Sequence, residues 1–130
     1  MATISEDYVS FETAKLLKEK GFNEKCRTYY KVFPENRIAA IYHSSENRGV
    51  SEDDPNEILC PTLQMAMKWL REVHDCSIEI ISNGYLMDND ATWECDIKFG
   101  HQLYLRHIQC EKTYEDCAEA AIKYCLENLI

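Results

Sequence analysis

Seven cysteines and four histidines carry most of the reactive chemistry in this 130-residue chain. Cys95 and His107 are the sharpest candidates among them. A cysteine becomes a nucleophile when a base holds it as thiolate, and these two residues fall on neighbouring strands of a predicted hairpin. Directly opposed, their Cβ atoms would lie ~5 Å apart, within reach of a thiol–imidazole pair. A working dyad also needs access and an orienting group, and the sequence supplies no sign of either. The bland alternative is a core histidine beside a small core residue. No Gly-x-Ser-x-Gly or His-Glu-x-x-His motif is present, so no residue is assigned as catalytic and an enzyme is not expected.

Metal ligation is the next chemistry to test. His107-x-x-Cys110, His74-x-Cys76 and the pair Cys117 and Cys125, two turns apart on one helix, are the nearest clusters. Structural zinc takes two pairs of ligands, each with a spacing of two to four residues. Only His107-x-x-Cys110 has that spacing, and a second such pair is missing, so buried free thiols are expected in place of a metal. The chain has four glycines and none makes a phosphate-cradling loop before a helix. Asp53-Asp54 and Asp88-x-Asp90 sit in predicted loops without a calcium-loop pattern and read as solvated charge. No cofactor and no metal are expected.

The stretch from Thr92 to Gln109 must position Cys95 and His107. Trp93, Cys95, Ile97 and Phe99 alternate with Glu94, Asp96 and Lys98, the period-2 pattern of a half-buried strand. After Gly100, Leu103, Leu105 and His107 alternate with Tyr104, Arg106 and Ile108. A two-residue Gly100-His101 turn sets Leu103 and Leu105 on the face of Lys98 and Asp96. A three-residue loop, Gly100-His101-Gln102, pairs Phe99 with Leu103, Ile97 with Leu105, Cys95 with His107 and Asp96 with Arg106. Apolar and charged patterns both select the second register, and a five-residue loop keeps it.

The remaining elements are legible from caps and stripes. Ser10 is the predicted N-cap of a helix over Phe11 to Lys20, with Val9 and Ala14 as a hydrophobic staple, and Gly21-Phe22 is a Schellman stop. Arg27 to Phe33 and Ile38 to His43 form a predicted hairpin across Pro34-Glu35-Asn36. Residues 44–57 are polar and contain Gly49 and Pro55, which predicts a mobile loop. Pro61 opens a helix to about His74, with Leu63, Ala66, Met67, Leu70 and Val73 as its core stripe and Met65 and Trp69 on the flank. That flanking pair either widens the core face or makes an exposed partner patch.

Cys76 to Ile80 is a predicted strand. Asn83-Gly84 is a turn signal, Tyr85 to Met87 a candidate short strand and Asp88 to Asp90 a loop. Thr113 caps the last helix, whose stripe is Tyr114, Cys117, Ala118, Ala121, Ile122, Cys125 and Leu129. The order αββαβββα, with helices on antiparallel hairpins, is an α+β fold in one domain spanning residues 1–130.

Totals bound the function. Twenty-three acidic against fourteen basic residues give a formal net charge of −9, which argues against nucleic acid and anionic membranes as partners. No segment has the apolar length of a membrane span. The N-terminus has no signal-peptide pattern, and the odd cysteine count lacks Cys-x-x-Cys, so a reducing cytoplasm is expected. Oligomeric state is left open, with sheet edges available for pairing.

Two kinds of resemblance add to this. The helix, three-strand meander and helix of the C-terminal half resemble the element order of the double-stranded RNA-binding fold, and the last strand and helix resemble the small antitoxin domains of bacterial toxin pairs. The stretch Tyr8 to Phe22 resembles the opening of small uncharacterised proteins of gut bacteria and their phages and prophages. Pro61-Thr62, Lys68-Trp69-Leu70-Arg71-Glu72 and Ile78-Glu79-Ile80 are similar to their middle, and Thr113-Tyr114-Glu115 with the terminal helix to their end. The resemblance implies a phage- or mobile-element-associated origin and no activity. The expected function is a small non-enzymatic protein that contacts another protein. The alternatives are a thiol-dependent hydrolase or transferase using Cys95 and His107, and an acidic mimic of nucleic acid that blocks a DNA-binding protein.

Overall fold

The computed structural model describes residues 7–33, 37–48, 56–82, 93–100, 106–111 and 113–130, with 37–48 and 109–111 given by their backbone alone. The elements run α1 (Phe11–Glu19), β1 (Cys26–Phe33), β2 (Arg37–Arg48), β3 (Glu57–Leu59), α2 (Leu63–His74), β4 (Cys76–Ser82), β5 (Trp93–Phe99), β6 (Arg106–Glu111) and α3 (Tyr114–Asn128). The fold is α+β with antiparallel sheets, and the expected order of elements is present with one further short strand, β3. The chain divides into two compact units, Met1–Thr62 and Leu63–Ile130.

In the first unit, the caps that the sequence predicts set the ends of α1. Ser10 is extended at φ −67° and ψ 164°, and its Oγ accepts from the Thr13 N–H at 3.2 Å. At the other end Gly21 takes φ 91°, a left-handed conformation that favours glycine. The Gly21 N–H then reaches the Lys18 carbonyl at 3.1 Å and the Phe22 N–H reaches the Leu17 carbonyl at 2.9 Å, a Schellman pair that turns the Phe22 ring inward. Val9, Ala14, Leu17 and Phe22 are buried with Tyr30 and Ile58. The Tyr30 hydroxyl donates to the Val9 carbonyl at 2.8 Å, and the Val9 N–H donates to the Pro61 carbonyl at 3.1 Å.

The sheet of this unit has the order β2-β1-β3. The expected hairpin forms, with Phe33 opposite Arg37 and Val32 opposite Ile38; its turn, 34–36, lies outside the described residues. Two parts of the expected loop over 44–57 are strand instead. β2 continues to Arg48, and Glu57–Leu59 pairs with β1, Ile58 facing Tyr30. The part between them, 49–55, lies outside the described residues.

In the second unit, β4, β5 and β6 form an antiparallel meander in sequence order, and α3 packs on it. Thr113 caps α3 as expected, its Oγ1 accepting from the Asp116 N–H at 3.0 Å. Cys117, Ala118, Ala121, Ile122, Cys125 and Leu126 are all fully buried on its inner face. Small residues at the contact let a helix lie close on a sheet. Between β4 and β5, Cys76 faces Phe99, Ile78 faces Ile97 and Ile80 faces Cys95, so these six share the inner surface.

The register of β5 with β6 differs by one residue from the expected one. Ile97 faces Arg106, Asp96 faces His107 and Cys95 faces Ile108. Neither the Cys95–His107 pair nor the Asp96–Arg106 pair forms. The apolar alternation of Leu103 and Leu105 set the expected phase, but β6 within the described residues starts at Arg106, where the pattern is carried by Ile108. Putting Ile108 inside places apolar surface against Cys95 and leaves the imidazole outside with two carboxylates. Residues 101–105, Asn83-Gly84, Tyr85 to Met87 and Asp88 to Asp90 lie outside the described residues.

Candidate functional site

The outer face of the second sheet carries one built polar group. Alternation sends Glu94, Asp96 and Lys98 of β5 to this face, with Ser77, Glu79 and Ile81 opposite them on β4 and His107 opposite Asp96 on β6. His107 Nδ1 lies 2.5 Å from Asp96 Oδ1, and Nε2 lies 3.2 Å from Glu94 Oε2. Imidazolium donates from both ring nitrogens, so the two carboxylates hold the ring from both sides. The Asp96 hydrogen bond is the main cause that raises the His107 pKa above the ordinary histidine value, and the Glu94 charge adds to it. Beside this group, Lys98 Nζ stands 3.8 Å from Glu79 Oε2, an exposed ion pair across strands. A histidine with both nitrogens committed is a poor general base, so the group orders a surface more readily than it performs proton transfer.

The inner face carries thiols. Cys76, Cys95, Cys117 and Cys125 are fully buried, and none of the four forms a disulfide. Burial and the adjacent Cys117 thiol push Cys95 up to about 12, far from the thiolate a nucleophile needs. Cys95 and His107 therefore occupy opposite faces of one sheet, and the arrangement a thiol–imidazole dyad requires is absent from this register. Cys76 and Cys125 meet with sulfurs 2.9 Å apart.

The flanking pair on α2 separates. Trp69 is buried, 6% exposed, with its ring edge-on to His74 at 4.6 Å, and Met65 is half-buried. Val73, expected in the core stripe, is 56% exposed instead. Among the described residues no group of three His, Cys, Asp or Glu side chains is placed to hold a metal ion. The Cys110 side chain lies outside the described ones. His74 Nε2 is buried with no hydrogen-bond partner among the described residues.

In the first unit a pocket lined by Ala14, Lys18, Phe22, Glu57 and Leu59 has a volume of about 10 Å³, room for about one water. No described helix is long and apolar enough to cross a membrane. The His107 cluster was not legible because the observed register, with Ile97 opposite Arg106, is neither of the two that the alternation suggested. The burial preference of Ile108 over His107 was the signal that selects it.

Comparison with protein-family models, with curated proteins and with solved structures found no match. Fold and site define a class, an α+β protein with a polar, histidine-centred sheet face over a thiol-rich core.

Proposed function

We propose that this is a small non-enzymatic, cytoplasmic protein, associated with a phage or mobile element, that acts by binding another protein. The observation that carries this reading is the edge of the second sheet. β4 pairs with β5 on one side, and on its other side it has no ladder partner among the described residues. Its seven residues, Cys76–Ser82, include Ile78, Ile80 and Ile81 and contain no Pro or Lys. Those are the residues that commonly guard an edge against pairing. Such an edge takes an added strand, with main-chain hydrogen bonds giving affinity and the outward side chains giving selectivity. The occupant in this reading is an extended segment of a partner protein. Ile81, half-buried beside Glu94 on the outer face, flanks it.

The test places a photo-crosslinking residue at Ile81 and, separately, at the exposed Glu115 of α3, in cells that make the protein natively. The expected result is one partner captured from position 81 and not from 115. That partner, once purified, should bind the wild-type chain at least ~10-fold more tightly than Ile81→Lys, since a lysine on an edge opposes strand addition. Equal capture from both positions, equal binding by Ile81→Lys, or capture of a second copy alone would contradict the reading. An unchanged melting profile of Ile81→Lys confirms that its fold is intact.

A further inference from the structure

We propose that Cys76 and Cys125 form a modification site, a thiol pair that a small peroxide converts to a disulfide. Cys76 is the first residue of β4 and Cys125 lies in the last third of α3, 49 residues further along the chain. Their sulfurs are 2.9 Å apart in the buried layer between helix and sheet. Closing the gap to the ~2.05 Å of a disulfide takes less than ~1 Å of movement.

The pair is asymmetric. The contact between the two sulfurs lowers the Cys76 pKa and raises that of Cys125. Cys76 is assigned as the attacking sulfur because it directly follows the exposed Asp75, which takes φ 54° between α2 and β4, whereas Cys125 lies on the buried inner face of α3. Two thiols at this separation are placed for two-electron oxidation to a disulfide.

The Cys76 sulfur attacks one peroxide oxygen. The S–O bond forms, the O–O bond breaks, and the departing hydroxide takes up a proton to become water. Cys76 is then a sulfenic acid. The Cys125 sulfur, giving up its proton, attacks the Cys76 sulfur. The S–S bond forms, the S–O bond breaks, and the hydroxyl leaves with that proton as the second water. In sum, two thiols lose two electrons and two protons, and hydrogen peroxide is reduced to two waters. Burial of both residues restricts the reaction to a water-sized oxidant and excludes bulky alkylating reagents from the folded protein. The product staples α3 to β4.

The folded full chain is treated with hydrogen peroxide, denatured in N-ethylmaleimide, and digested without reductant for peptide mass mapping. The expected result is a Cys76–Cys125 cross-linked peptide as the main oxidised species. Dithiothreitol should reverse it, and the melting temperature of the oxidised form should rise by roughly 10 °C, since the bond closes a long loop. In Cys125→Ala the same peroxide treatment, followed by denaturation in dimedone in place of N-ethylmaleimide, should leave Cys76 as its dimedone adduct. Three results would overturn the proposal: no such peptide from the wild-type chain, cross-links spread over other cysteine pairs, or a native mass one zinc heavier with the thiols protected until chelation. The wild-type measurement stands whether or not the alanine variant folds.

Discussion

The two faces of the β4–β5–β6 sheet differ by one residue along each strand and by the whole direction of their chemistry. Inside, Cys95 is held as a neutral thiol, because burial penalises charge and the neighbouring thiol offers no compensation. Outside, Asp96 and Glu94 favour the charged form of His107 and raise its pKa. Asp96 and Cys95 are adjacent in sequence, and β6 repeats the contrast with His107 and Ile108. The comparison teaches that register, more than residue type, decides which side chains meet. Moving β6 by one position would place the imidazole among the thiols and Ile108 among the carboxylates.

The largest effect in this comparison belongs to the inner face. Ile97 is fully buried between β4 and β6 and under α3, so Ile97→Ala should cost about 2–5 kcal/mol in chemical denaturation, the range for a large-to-small core substitution. A loss below about 1 kcal/mol would mean that this face is not the core.

The His107 group should have a smaller effect with a definite sign. Its folded-state pKa is raised above the unfolded one, so its contribution is fully present below the unfolded value of about 6.5. The contribution fades as pH rises through the raised folded value. The melting-temperature difference between wild type and His107→Gln should be largest below the ordinary histidine value and shrink as pH rises above it. A difference that grows with pH would contradict the clamp. The smallest effect should come from the exposed pair, where Lys98→Ala should change stability by less than about 1 kcal/mol and lose even that at high salt.

How much of this was legible in the sequence follows from how local each signal is. Ser10, Gly21 and Thr113 act on backbone groups within three residues of themselves, and all three cap or stop helices as their types predict. The β1–β2 hairpin and the α3 stripe are equally local. β3 was not legible, because Glu57-Ile58-Leu59 is a short run whose strand character comes from distant pairing with Tyr29, Tyr30 and Lys31. The β5–β6 register failed for a related reason. Two neighbouring alignments each satisfy part of the pattern, and the choice rests on Ile108 against Cys95 and on Arg106 lying over the Tyr124 ring at 5.4 Å, contacts that join elements far apart in sequence. On α2, periodicity marked the inner face and allowed for Trp69 widening it, which it does, but did not show that Val73 is exposed. The Cys76–Cys125 meeting is likewise a product of packing between β4 and α3.

The pairing of Asp96 with His107 is tested most directly by an NMR titration of the His107 ring in wild type, Asp96→Asn and Cys95→Ala. The pairing predicts a wild-type pKa above the ordinary histidine value, a fall toward that value in Asp96→Asn, and no change in Cys95→Ala. A His107 pKa that ignores position 96 and responds to position 95 would contradict it.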